Sequence, residues 1–115
     1  NLTFQLLIRN QKELMKIGQK VLKNINTNII KKFNIKLVAS FVQAGSGSLP
    51  IEDIKSIAIS FNNDNIKPTK ISLKFREGAI PTIGYIKGNK FYLDLKAIPQ
   101  DQIKDLISSI ENNLR

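Results

Sequence analysis

The chain has 115 residues, 42% of them hydrophobic, and its 18 basic and 9 acidic side chains give a formal net charge of +9. That length is enough for one domain with a modest core, and no run of about 18 apolar residues predicts a membrane span. Neither Cys nor His occurs, which excludes disulfides, thiol nucleophiles, imidazole-based triads and Cys/His metal sites. The absence of Cys fits a cytoplasmic protein. Because the first residue is not Met, we expect residues 1–115 to be a single domain from a longer chain.

Positive charge is concentrated in the first 43 residues, where a single acid, Glu13, accompanies eight basic residues: Arg9, Lys12, Lys16, Lys20, Lys23, Lys31, Lys32 and Lys36. The rest of the chain has ten basic groups and eight acids. Such a local excess suits a polyanion such as nucleic acid. Solvation of an ordinary surface explains the same composition, so charge alone leaves both interpretations open.

The first predicted element is a helix over roughly residues 10–26. Asn10 followed by Glu13 has the spacing of a capping box. Apolar residues recur at helical spacing, and lysines cluster on the opposite face of the same helical wheel. The apolar positions are Leu14, Ile17, Val21, Leu22 and Ile25, and the basic ones are Lys12, Lys16, Lys20 and Lys23. Thr27–Asn34 fits either more helix or a loop over apolar side chains.

Two strands are predicted next, with a glycine-rich loop between them. Ile35–Val42 is rich in β-branched and aromatic residues, and Ser56–Phe61 alternates between apolar and small side chains. Gly45, Ser46, Gly47 and Ser48 allow a close backbone approach, and we expect a short turn over Ile51–Ile54. Lys67–Glu77 gives conflicting signals, because its apolar residues alternate like a strand while Pro68 and Gly78 punctuate it like a helix.

Ile80–Leu95 predicts a β-hairpin. Ile83 and Tyr85 precede a turn over Lys87–Lys90, and Phe91, Leu93 and Leu95 follow it with a period of two. Pro99 then opens a last helix with one apolar face, formed by Ile103, Leu106, Ile107, Ile110 and Leu114. Helices and strands in this order predict an α+β fold, a two-layer sandwich with a four-stranded, mainly antiparallel sheet and helices on one face.

Two of these stretches resemble bacterial selenocysteine synthase, the seryl-tRNA selenium transferase. Gly45–Pro50 is similar to the family segment GGGSLP. Pro81–Ile86, Gly88 and Leu93–Lys96 are similar to its segment PxxIGRIxxGxxxLDLR, and the opening Asn1–Leu7 matches the lead into the last domain of the family. The resemblance covers nearly the whole chain.

The resemblance implies the small C-terminal domain of a fold-type-I pyridoxal-phosphate enzyme. It implies that Lys67–Glu77 is helical, that the full enzyme converts seryl-tRNA and selenophosphate to selenocysteinyl-tRNA, and that it is a homo-oligomer. The lysine that holds the cofactor belongs to the large domain of the family, so the fragment is expected to be inactive alone. It implies a substrate-binding edge of the active site at Gly45, Ser46, Gly47, Ser48 and Lys96. The basic stripe Lys12, Lys16, Lys20 and Lys23 would face solvent or tRNA.

Two residues depart from the family pattern. Tyr85 stands at the Arg of IGR, and Lys96 stands at the Arg of LDLR. Lysine loses the bidentate fork of arginine, and tyrosine loses the charge. These changes leave open a paralogue that acts on a small amino acid or sugar acid, while cross-strand packing also explains Tyr85. We expect Asp94 to make a hydrogen bond or salt bridge at a strand end, without a chemical role.

A third hypothesis is a small RNA-binding module, since Lys87-Gly88-x-Lys90-Phe91-Tyr92 faintly resembles an RNA-binding strand. Such a module would expose stacking aromatics on its sheet. We expect Phe91 to be a core residue, and that would count against the hypothesis in this form.

Overall fold

An antiparallel sheet of four strands organises the part of the chain that the computed structural model describes, residues 10–44, 52–78, 82 and 84–115. The spatial order of the strands is β1-β2-β4-β3. Their bounds are β1 Lys36–Ala44, β2 Glu52–Phe61, β3 Tyr85–Lys87 and β4 Lys90–Asp94. The predicted α+β sandwich is confirmed. Within the described residues no helix has the length and apolar character needed to cross a membrane.

The helices cover one face of this sheet. They are α1 Gln11–Lys23, α2 Thr27–Lys32, α3 Pro68–Arg76 and α4 Ile103–Asn113, with short 3₁₀ turns at Leu95–Ala97 and Gln100–Gln102. The side-chain oxygen of Asn10 accepts a hydrogen bond from the Glu13 amide at 2.9 Å, so the predicted cap starts α1. Asn26 caps α2 in the same way, which resolves the ambiguous stretch after α1 as a second helix.

The core lies between the helices and alternate residues of the sheet. Ile57 and Ile59 of β2 and Leu93 of β4 point into it. Three fully buried rings form its centre, with centroid separations of 5.4, 5.8 and 5.5 Å among Phe61, Phe75 and Phe91. Edge-to-face and offset ring contacts at this spacing stabilise a core beyond the area that they bury.

The conflict over Lys67–Glu77 is resolved in favour of a helix, as the family resemblance implied. Ile71 and Phe75 are four residues apart and both are buried, whereas Leu73 between them is 51% exposed. A strand would have placed all three side chains on one face. The apparent alternation of these three apolar side chains is therefore part of a helical pattern, in which Ile71 and Phe75 face the core and Leu73 faces solvent.

The turn predicted over Ile51–Ile54 is wrong for the residues that the structure describes. β2 begins at Glu52, and Ile54 pairs with Val42 of β1 in a continuous antiparallel register. Backbone pairing with β1 therefore extends β2 beyond its alternating segment. The paired stretch of β1 and β2 is longer than that of β2 and β4, because β4 pairs with β2 only over Ala58–Phe61.

The predicted hairpin is confirmed, with a shorter first strand and a different end. Gly88 has φ +61° in a two-residue turn between β3 and β4, a backbone conformation that suits glycine at the first position of a type II′ turn. Leu95 belongs to a 3₁₀ turn rather than to the strand. Pro81 and Ile83 lie outside the described residues.

Candidate functional site

The glycine loop of the predicted site, Gly45, Ser46, Gly47 and Ser48, lies outside the described residues. The structure does describe the two strands that lead to and from it, which are paired as far as Ala44 and Glu52. The assignment of these four residues to a substrate site therefore stays a prediction.

Lys96 is buried, with 3% of its surface exposed. It lies in the 3₁₀ turn after β4, where its backbone amide donates a hydrogen bond to an oxygen of the Asp94 carboxylate at 3.0 Å. Lysine is rarely buried without compensating interactions. Lys96 thus differs in burial from the exposed lysines of the described residues. Its role at a substrate cleft stays a prediction.

Asp94 joins three strands on the face of the sheet opposite the helices. The Ser40 hydroxyl of β1 donates to one carboxylate oxygen at 2.7 Å, and the Ser56 hydroxyl of β2 donates to the other at 2.5 Å. The Lys96 amide adds a third donor. Both oxygens of this buried carboxylate are thus engaged, as a buried charge requires. The expected structural role of Asp94 is confirmed.

The sequence reasoning did not identify Ser40 and Ser56 as the partners of Asp94. They lie 54 and 38 residues away from it along the chain. The available signal was their position in the predicted strands, because Ser40 interrupts an apolar run in β1 and Ser56 is one of the small residues that alternate with apolar ones in β2. Only the register, which places Ser40 directly opposite Ser56, brings the two hydroxyls together.

Tyr85 and Tyr92 stack on each other on the same face of the sheet as Asp94, at its β3–β4 edge. They are directly opposite in the β3–β4 register, with ring centroids 5.2 Å apart and planes inclined by 16°. The cross-strand packing interpretation of Tyr85 is therefore confirmed. Burial raises the pKa of the Tyr85 hydroxyl above its ordinary value of 10.0, with smaller contributions from the Asp94 carboxylate and from Tyr92.

A cleft of about 620 Å³ opens beside this aromatic pair. Its lining residues are Val38, Ala39, Ser40, Phe41, Tyr85, Lys87, Gly88 and Tyr92. Phe91, in contrast, is completely buried on the other face. An RNA-binding site that uses Phe91 as a stacking platform is therefore excluded, as we expected.

The basic stripe of α1 is exposed. Lys12, Lys16, Lys20 and Lys23 all lie on the solvent side of the helix, while Leu14 and Val21 are buried against the core. Lys20 also borders a second cleft, of about 530 Å³, between α1 and the region around α4. The structure thus confirms the predicted separation of apolar and basic faces, and the tRNA contact of the basic face stays a prediction.

The described lysines differ in exposure. Lys96 is buried and Lys74 is half-buried on α3, while every other described lysine lies on the exposed surface. The expectation that the cofactor lysine belongs to a large domain outside this sequence stays a prediction.

Comparison with known proteins decides the family. The family model described as L-seryl-tRNA selenium transferase matches residues 2–99. The chain belongs to the L-seryl-tRNA selenium transferase family. Curated relatives carry the name L-seryl-tRNA(Sec) selenium transferase. The protein from Desulfotalea psychrophila is 26% identical over 92% of this chain and 23% of its own length.

Two further relatives with this name are more similar over shorter stretches. The Haemophilus influenzae (strain PittEE) protein is 32% identical over 66% of this chain and 16% of its own length. The Campylobacter concisus protein is 34% identical over 65% of this chain and 16% of its own length. The chain therefore spans less than a quarter of the length of these relatives in the selenium transferase family.

Proposed function

We propose that this chain is the C-terminal domain of a pyridoxal-phosphate-dependent transferase that converts seryl-tRNA(Sec) and selenophosphate to selenocysteinyl-tRNA(Sec). The observation that carries the proposal is the family match over residues 2–99. The names of the curated relatives support the substrate class, and the short share of their length that is matched supports a role as one domain of a larger enzyme.

In this proposal a large domain outside the present sequence binds the cofactor and supplies its lysine. The present chain would contribute an edge of the substrate cleft through Gly45, Ser46, Gly47 and Ser48. Lys96, held beside Asp94 in the turn after β4, would help to shape that edge. The assembled enzyme would be a homo-oligomer.

The basic stripe of α1 would contact the tRNA backbone. Its four lysines extend over residues 12–23, about 16 Å of helix axis at 1.5 Å per residue. Exposed ammonium groups attract phosphates and release counterions when they bind, so this contact should weaken as salt concentration rises. Glu13 does not cancel the stripe, because it is the single acid of α1 against four lysines.

The proposal is tested on the complete protein that contains this sequence. Borohydride reduction should fix the cofactor on a lysine outside residues 1–115, and peptide mapping should locate it. The same preparation should form selenocysteinyl-tRNA(Sec) from seryl-tRNA(Sec) and selenophosphate. Cofactor fixed on a lysine of this chain would contradict the domain assignment. A trapped cofactor without selenium transfer would favour the paralogue that uses a small amino acid or sugar acid.

The tRNA contact has its own matched test. Reversing two charges of the stripe with K16E and K20E should weaken binding of the complete protein to tRNA and reduce the salt dependence of that binding. Reversing Lys31 and Lys32 of α2, which are also exposed, provides the control. Equal losses in the two double variants would show a general effect of net charge and would refute a specific role for the stripe.

A further inference from the structure

The sheet face opposite the helices, which we call the open face, is buried over β2, where Ser56, Ala58 and Ser60 are at most 3% exposed. Its edge at the β3–β4 hairpin carries an exposed aromatic and basic surface that is separate from the basic stripe of α1. Because opposite residues of an antiparallel pair share a face, Tyr85 and Tyr92 lie on the same side as Lys87 and Lys90. The register across β2 adds Lys36, which is opposite Ser60, itself opposite Tyr92. We call these five residues, Tyr85, Tyr92, Lys36, Lys87 and Lys90, the open-face cluster.

We propose that the open-face cluster binds unpaired nucleotides of the tRNA. One base would stack on Tyr85, and the three lysines would contact the phosphates of the neighbouring RNA backbone. A sheet with helices on one face and aromatic side chains on the other is a known way for proteins to hold single-stranded RNA. The aromatic rings needed for this mode are Tyr85 and Tyr92, not the buried Phe91 that the sequence motif pointed to.

The tyrosine pair is partly exposed to solvent. Tyr85 lies on the edge strand β3 and is 39% exposed, although it stacks on Tyr92. The adjacent cleft of about 620 Å³ runs from Tyr85 and Lys87 to Val38 and Ser40 of β1. Every base has a flat π-face, so a partly exposed ring beside such a cleft can stack a nucleotide without reading its identity.

Positive charges are close together at the hairpin turn. Lys87 and Lys90 are directly opposite each other, and both are exposed. Like charges at directly opposite positions destabilise a sheet, so this pair is not explained by folding stability. A phosphate beside the two ammonium groups would offset their repulsion.

The acid nearest to the tyrosines does not reverse the sign of this surface. Asp94 is only 7% exposed. One of its carboxylate oxygens accepts a hydrogen bond from Ser40, and the other accepts hydrogen bonds from Ser56 and the Lys96 amide. Its single negative charge is outnumbered by the three lysines of the cluster, Lys36, Lys87 and Lys90. A basic surface with stacked tyrosines complements a nucleic acid better than a neutral apolar protein surface.

The choice of tRNA as the source of the nucleotides rests on the proposed function, but the test does not use transferase activity. Fluorescence anisotropy of a labelled short single-stranded RNA measures binding to the 115-residue chain. Y85A should weaken binding roughly 5- to 150-fold, the range expected for loss of one stacked base. Y85F should keep it within about twofold of the unmodified chain, since the phenyl ring still stacks.

The matched control is I86A, because Ile86 is the neighbouring residue of β3, is 42% exposed and points to the other face. K87A should also reduce the slope of log affinity against log salt by about 0.7, the value for one phosphate contact with a single strand. K70A on α3, which removes an exposed lysine on the helical side, should leave the slope nearly unchanged.

Equal losses in Y85A and I86A would overturn the proposal, and so would competition by duplex RNA as strong as that by single strands. Failure of the unmodified chain to bind RNA at low salt would overturn it too and would favour a protein domain as the occupant of this face. If Y85A does not fold, tyrosine emission decides the matter, because the chain has no Trp and two Tyr. In a Y92F variant RNA should quench the emission of Tyr85, and unchanged emission at saturation would refute stacking.

Selenium transfer by the complete enzyme is a separate measurement. If Y85A loses RNA binding while the unmodified complete enzyme shows no selenium transfer, the open-face inference stands and the proposed reaction fails. If the enzyme is active but Y85A binds RNA normally, the reaction stands and the open-face inference fails.

Discussion

Replacement of Asp94 by alanine should destabilise the fold more than any exposed substitution, because this carboxylate holds β1, β2 and β4 together. It accepts hydrogen bonds from two hydroxyls and one amide while only 7% exposed. Hydrogen bonds to a charged group contribute about 1.5–3 kcal/mol each, and buried donors left without a partner add a desolvation cost. These contributions are not additive, and we expect D94A to lower the free energy of unfolding by about 3–5 kcal/mol.

The assay is urea unfolding followed by far-ultraviolet circular dichroism. With an m-value of about 2 kcal/mol/M, the expected loss moves the midpoint down by roughly 1.5–2.5 M. D53A is the matched control, because Asp53 lies on β2 but is exposed, and such surface changes usually stay within about 0.5 kcal/mol.

A double-mutant cycle identifies the interaction itself. S40A alone should cost about 1–2 kcal/mol, because it removes one donor to Asp94. The double variant S40A/D94A should lose less than the two single losses together, by about 1–2 kcal/mol. A D94A midpoint equal to that of D53A, or strictly additive losses in the cycle, would refute the reasoning.

Three further changes test the core, the hairpin turn and the tyrosine pair. F75A should cost about 3–5 kcal/mol in urea unfolding, because it empties the centre of the buried ring cluster. G88A should cost about 1–2 kcal/mol, since an L-residue is strained at φ +61°. In the Y92F variant Tyr85 is the single remaining tyrosine of the chain. Its ionisation, followed by ultraviolet absorbance, should occur above pH 10.0, because burial and, to a smaller extent, the Asp94 carboxylate raise its pKa. The stability due to Tyr85 is complete below its ordinary pKa and falls as pH rises through the folded-state pKa.

Each of these has a distinct contrary outcome. Leu73 is exposed on the same helix as Phe75. If L73A lowered the free energy of unfolding as much as F75A, the buried ring cluster would not be the main source of stability at this helix. Unchanged stability in G88A would mean that the turn adapts to a side chain at no cost. Titration of Tyr85 at its ordinary pKa would show that its ring is more hydrated than its position beside Asp94 implies.

Local periodicity was sufficient for the first and last helices with their apolar faces, for parts of β1 and β2 and for the hairpin, but not for the helix over Pro68–Arg76. The cap at Asn10, the apolar and basic stripes of α1 and the turn at Gly88 depend on residues close together in sequence. Their energies arise within one or two turns of the backbone, so a single sequence contains the information. The helix over Pro68–Arg76, which alternation obscured, was indicated by the family resemblance instead.

Tertiary structure decided everything that depends on strand register. Ile54 joined β2 because Val42 is opposite it, and Asp94 met Ser40 and Ser56 because three strands are aligned. Sheet pairing joins residues far apart in sequence, and a shift by one residue would exchange the two faces. The same register buried Phe91 and placed Tyr85 on Tyr92. The amino-acid sequence thus determined which elements form, whereas their pairing determined which side chains meet on the open face.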